Sequence, residues 1–90
     1  MNIEEAKCSL IKEIEHDLMV VYGPLIFGEK LISVLGFRNK RSFQTAVKKG
    51  TIPVLLFELD HQRGKYAFTK DIATWLAELR MAYYPLEVTK

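Results

Sequence analysis

The 90-residue sequence has one cysteine, two histidines, three prolines and no long apolar run, and each scarcity excludes something. With Cys8 alone the chain cannot form an internal disulfide, and it suits a reducing compartment. The longest apolar run, Ile52 to Phe57, is six residues, against the roughly 20 that span a bilayer. No basic-then-apolar leader with a small-residue cleavage site opens the sequence, so the expected location is the cytoplasm, without a membrane. Phosphate-cradling glycine loops, a dinucleotide fingerprint, HExxH and CxxC are all missing. The groups left for catalysis are Cys8, His16, His61 and scattered carboxylates. Cys8 and His16 are eight residues apart on one expected helix, about 12 Å at 1.5 Å per residue, too far for a nucleophile–base pair. Glu13 and His16 lie at i and i+3, but two ligands do not make a metal site. His61 adjoins Asp60 in an expected turn and is read as solvated. No enzyme, catalytic residue, metal or cofactor is expected.

What is present is a composition that can bury one core: 49% hydrophobic and 27% charged residues, without a disorder signature. The formal net charge of +2 conceals a block structure. Residues 1–35 sum to −3, residues 36–70 to +6 and residues 71–90 to −1. A basic middle between acidic flanks is the electrostatic pattern of a polyanion-binding surface, provided that the charges share a face.

The expected elements follow from periodicity and caps. Asn2 with Glu5 three residues later forms a capping box for an amphipathic helix over residues 2–21, with the stripe Ile3, Ala6, Leu10, Ile14 and Leu18. Gly23-Pro24 ends it. A short helix fits Gly28 to Leu35, with Gly36 just past its end. Another fits Lys40 to Lys49, with Asn39 as its cap and Gly50 as its stop. Two helices joined by so tight a glycine-containing turn match helix-turn-helix spacing. Thr51 to Leu59 reads as a strand, and Lys65 to Phe68 returns as a second strand of a β-hairpin whose turn includes Arg63. Thr69 is expected to cap a final helix to about Ala82, with Ile72, Trp75, Leu76 and Leu79 inward and Pro85 beyond its end.

The third helix carries the candidate site. Burying Phe43, Ala46 and Val47 turns Lys40, Arg41, Gln44, Thr45 and Lys48 outward. A glutamine amide matches adenine, and arginine matches guanine or a phosphate. Arg38 in the tight turn, Lys49, and Arg63 with Lys65 in the hairpin extend the positive charge.

The run Leu31 to Phe37, then Arg41-Ser42-Phe43, Gly50-Thr51-Ile52-Pro53, Tyr66, and Asp71 through Trp75-Leu76 resembles the winged helix-turn-helix of MerR-like proteins. It is most similar to the AlpA/excisionase-like and pyocin-activator-like regulators of mobile elements, over about residues 28–82. The resemblance implies a mainly α fold with a small β-hairpin, to which residues 1–27 add an N-terminal amphipathic helix and connector and residues 83–90 a short tail. It further implies that Lys40 to Lys49 enters the major groove of duplex DNA and that the hairpin is a wing touching the backbone. Arg41, Ser42 and Gln44 would then contact bases or phosphates, and Arg63 and Lys65 would make the wing contacts.

Two questions stay open at this level. The N-terminal stripe can pack on its own domain, or Ile3, Leu10, Ile14 and Leu18 can form a homodimer seam, as can the Ile52–Leu59 strand. The leading functional expectation is a sequence-specific DNA-binding protein, excisionase or transcriptional regulator, nucleoid-associated when bound. The alternative is a protein-interaction module, an antirepressor or accessory subunit, that keeps the same fold.

Overall fold

A computed structural model describes residues 2–60 and 62–83. His61 and Pro85, with Met1 and the rest of the tail from residue 84, lie outside the described residues. The chain runs α1 (Ile3–Tyr22), β1 (Leu25–Phe27), α2 (Gly28–Val34), α3 (Lys40–Lys49), β2 (Tyr66–Phe68) and α4 (Thr69–Tyr83). It is mainly helical with one small antiparallel sheet.

At the start of α1, Asn2 Oδ1 accepts from the Glu5 N–H at 2.8 Å, and the Asn2 amide donates to Glu5 Oε1 at 3.2 Å. This satisfies one of the donors a helix N-terminus leaves open. The apolar stripe packs along α4 within the same chain. Ala6 is buried, Leu10, Ile14 and Leu18 are half-buried, and Leu18 reaches the central cluster, whereas Ile3 is exposed. Lys7 Nζ and Glu78 Oε2, 3.2 Å apart, link the two helices at an exposed position worth at most about 1 kcal/mol.

The sheet differs from the expected hairpin. Leu25–Phe27, expected as a connector, forms β1 and pairs antiparallel with β2. Leu25 faces Phe68, Ile26 faces Ala67 and Phe27 faces Tyr66. Strands of three residues are too short for alternation to show in sequence. Thr51–Leu59 is not a strand, although its alternation is real. Ile52, Val54 and Leu56 pack on the core, and Leu55 between them is 67% exposed. The segment lacks a ladder because one edge of the three-residue β2 is taken by β1 and the other offers only Tyr66. There the Phe57 N–H donates to the Tyr66 carbonyl at 2.9 Å, and the Tyr66 N–H to the Phe57 carbonyl at 2.8 Å. The expected hairpin thus reduces to one bridged pair closing residues 58–65.

Two expectations for α4 also change. The buried Thr69 hydroxyl donates to the Gly23 carbonyl instead of accepting from its own helix, and its N–H donates to the Pro24 carbonyl at 2.9 Å. The buried face of α4 is Thr69, Ile72, Ala73 and Ala77, with Trp75 and Leu76 partly buried against the core. Leu79, expected inward, is 39% exposed.

The core is a single cluster of Ile26, Leu31, Leu35, Phe43, Ala67 and Ile72, drawn from both strands and from α2, α3, α4 and the turn after α2. Because Ile26 is 1% exposed at its centre, Ile26→Ala is expected to cost about 2–5 kcal/mol. Leu55→Ser should stay within about 0.5 kcal/mol of wild type. Urea unfolding of both variants checks this, and equal losses would contradict the exposed placement of Leu55.

Candidate functional site

The local chemistry around α3 fixes its length and direction. The Asn39 side chain accepts from the Ser42 N–H at 2.8 Å, as its position before the helix predicts. Both α2 and α3 end in the same six-residue turn. After α2, the Phe37 N–H donates to the Ile32 carbonyl and the Gly36 N–H to the Ser33 carbonyl, each at 3.0 Å. After α3, the Thr51 N–H donates to the Ala46 carbonyl at 3.0 Å and the Gly50 N–H to the Val47 carbonyl at 3.1 Å. Such turns need a positive φ at the glycine, and Gly36 and Gly50 have 89° and 71°.

Phe43 and Ala46 are buried, and the Phe43 ring meets Phe37 edge-on at 5.7 Å, docking α3 on the preceding turn. At about 100° per residue, burial of that side turns Lys40, Arg41, Gln44, Thr45, Lys48 and Lys49 to solvent, and all are exposed, as is Ser42. The Thr45 hydroxyl donates to the Arg41 carbonyl at 3.0 Å, so its proton is engaged within the helix.

Across from α3 stands the loop closed by Phe57 and Tyr66. The Gln62 N–H donates to the Leu59 carbonyl at 3.2 Å, the Tyr66 hydroxyl donates to Gln62 Oε1, and Lys65 Nζ lies 3.0 Å from Glu58 Oε2. These contacts fold the loop that carries Arg63. Between α3 and the loop runs an open groove of about 600 Å³. Lys40, Gln44 and Lys48 line one wall and Arg63 and Lys65 the other, over a floor that includes Phe27, Leu31, Phe43 and Val47. A second depression, of about 520 Å³, is lined by Arg38, Asn39 and Lys40 together with Glu29 and Phe37. Lys40 therefore belongs to both.

The structure thus brings Lys40, Gln44, Lys48, Arg63 and Lys65 to one groove. Arg41, Ser42, Thr45 and Lys49 do not line it, standing on the rest of the outer surface of α3, and Arg38 flanks the second depression. Phe27, 53% exposed and part of the groove floor, had no signal in the sequence because its strand was not foreseen.

Among the described residues, the side chains of Arg38, Lys40, Arg41, Lys48, Lys49 and Arg63 have no ion-pair or hydrogen-bond partner. Lys40 and Arg41 also sit in the first turn of α3 with no acidic residue there, at the positive end of the helix dipole. That placement costs about 0.3–1 kcal/mol per charge. An anion bound at this end would turn the penalty into attraction. The acidic helix α1 packs on α4 rather than on α3. No protein-family model, curated protein or solved structure matches the chain.

Arg41→Glu is expected to stabilise the fold by about 0.3–1 kcal/mol by complementing the dipole, read as a rise in Tm. A fall in Tm would mean that Arg41 makes a native contact absent from this structure. Asn39→Ala should destabilise by about 1 kcal/mol in the same measurement.

Proposed function

We propose that this chain is a sequence-specific duplex DNA-binding protein in which α2, the glycine turn and α3 act as a helix-turn-helix and residues 58–65 as a short wing. The observation that carries this reading is the convergence of cations from α3 and from the loop on one groove, with an amide between them; Lys40, Lys48 and Arg63 have no partner among the described residues. Charge gathered from separate elements onto one face supports a polyanionic ligand better than the solvated side of one amphipathic helix would.

At ten residues α3 is about 15 Å long, and a single helix fits the major groove of B-form DNA, about 12 Å wide. In this reading the Gln44 amide accepts from adenine N6 and donates to adenine N7 in that groove, and Arg41 reaches guanine or a phosphate. Lys40, Lys48, Lys49 and Arg38 hold the backbone, and Ser42 adds a hydroxyl. Thr45 keeps an acceptor lone pair and a methyl group that suits thymine. Arg63 and Lys65 contact the backbone from the loop. The MerR-like resemblance supports the same division of labour and the narrower reading as an excisionase-like or small transcriptional regulator of a mobile element.

One observation favours a second reading. A phosphate backbone cannot fill the apolar floor of the groove, Phe27 and Val47 included, whereas an acidic protein segment with an apolar anchor can. An interaction module with this fold would use the same cations.

The test is a duplex-binding titration at two salt concentrations. Arg41→Ala and Gln44→Ala should each reduce discrimination between sequences by about 1–3 kcal/mol. Arg63→Ala should weaken binding to all sequences alike and reduce the salt slope by about 1. No binding of any duplex at about 50 mM salt would sink the DNA reading and leave the interaction module.

A further inference from the structure

Of the eight basic residues between positions 36 and 70, Lys65 is distinguished by an acidic partner whose contact is built into the backbone. Phe57 and Tyr66 exchange both backbone hydrogen bonds, so the next facing positions in an antiparallel register are Glu58 and Lys65. Side chains at such a facing pair lie side by side, and Lys65 Nζ is 3.0 Å from Glu58 Oε2. Both side chains keep substantial exposure, 37% for Lys65 and 63% for Glu58, and Lys65 lines the groove opposite Lys40, Gln44 and Lys48. The carboxylate therefore takes one of the three donors that this ammonium group would offer an incoming phosphate. Asp60, two residues on, has no partner among the described residues and supplies the same charge without the pairing.

We infer that Glu58 is an internal counter-ion for Lys65, a stand-in for phosphate that duplex DNA must displace. The inference rests on the DNA-binding reading above and concerns how that site is regulated. Exchanging a carboxylate for a phosphate releases less than binding a phosphate to a free lysine, so Glu58 lowers backbone affinity without touching the residues that read bases. Its effect falls equally on cognate and non-cognate duplexes. It weakens the salt dependence too, because the carboxylate set free beside the phosphate holds back a cation that Lys65 would otherwise release from the DNA.

The experiment is a double-mutant cycle on duplex binding with Glu58→Gln, Lys65→Ala and the pair combined, with Asp60→Asn as a control for bulk charge. Glu58→Gln is expected to tighten binding about two- to fivefold at low salt, the range of an exposed ion pair. It should also steepen the salt slope by about 0.9, one phosphate's worth. Both effects should vanish in the Lys65→Ala background, while the smaller gain from Asp60→Asn should survive there. A Glu58→Gln gain that persists without Lys65, or that only equals the Asp60→Asn gain, would overturn the counter-ion role and leave simple repulsion. If wild type binds duplex and Glu58→Gln changes nothing, this inference falls while the DNA reading stands. If neither wild type nor Glu58→Gln binds any duplex, both fall together.

Discussion

The pairing of Leu25–Phe27 with Tyr66–Phe68 is the constraint on which the rest of the structure depends. It joins segments about 40 residues apart, and closing so long a loop costs entropy that three ladder positions cannot offset alone. The compensation comes from one residue pair. Ile26 and Ala67 face each other on the inner side of the sheet, both buried, and meet Leu31, Leu35, Phe43 and Ile72 in the central cluster. Seven of the eight basic residues between positions 36 and 70 lie within the loop that this pairing closes, and Lys70 lies just past it in α4. Loss of the sheet would release α2, α3 and the 58–65 loop from one another.

Within that frame the molecule tolerates electrostatic tension at one place. Two positive charges begin α3 where an acidic residue would serve the helix better, and their side chains have no counter-ion among the described residues. At the other helix starts the chain follows the ordinary rule, with Glu4 and Glu5 opening α1 and Asp71 opening α4. The exception coincides with the proposed binding surface, where a bound anion restores the balance. In the loop, by contrast, the tension at Lys65 is relieved internally by Glu58.

The helices and their stops were legible in sequence because their signals are local. Asn2 and Asn39 before apolar stripes, and Gly36 and Gly50 after them, act through hydrogen bonds reaching at most five residues. The basic block was legible as charge, though its division into groove-lining and outer residues required the fold. What failed was non-local. A β-rich run such as Thr51–Leu59 becomes a strand only if a neighbour offers it a ladder, and the sequence does not say that β2 offers Phe57 only the single position Tyr66. Thr69 looked like a cap because threonine often is one, but its buried hydroxyl serves a carbonyl 46 residues away. The inward stripe of α4 shifted from Leu79 to Ala73 and Ala77, since a neighbouring helix selects small residues there for reasons invisible in α4 alone.

The bonds from Thr69 to Gly23 and Pro24 have a topological consequence. They bring the end of α1 and the start of α4 together at a single neck, so that residues 24–68 leave and return at nearly the same point. Leu18 and Tyr22 of α1 and Ile72, Trp75 and Leu76 of α4 pack on the central cluster, so the closed segment is insulated only from what the two helices do beyond those residues. The ends of α1 and α4 far from the neck could be lengthened or fused to another protein without altering the spacing between α3 and its facing loop. The chain is thus organised as a closed head on a two-helix stalk, a layout that permits the stalk to diversify while the head is kept.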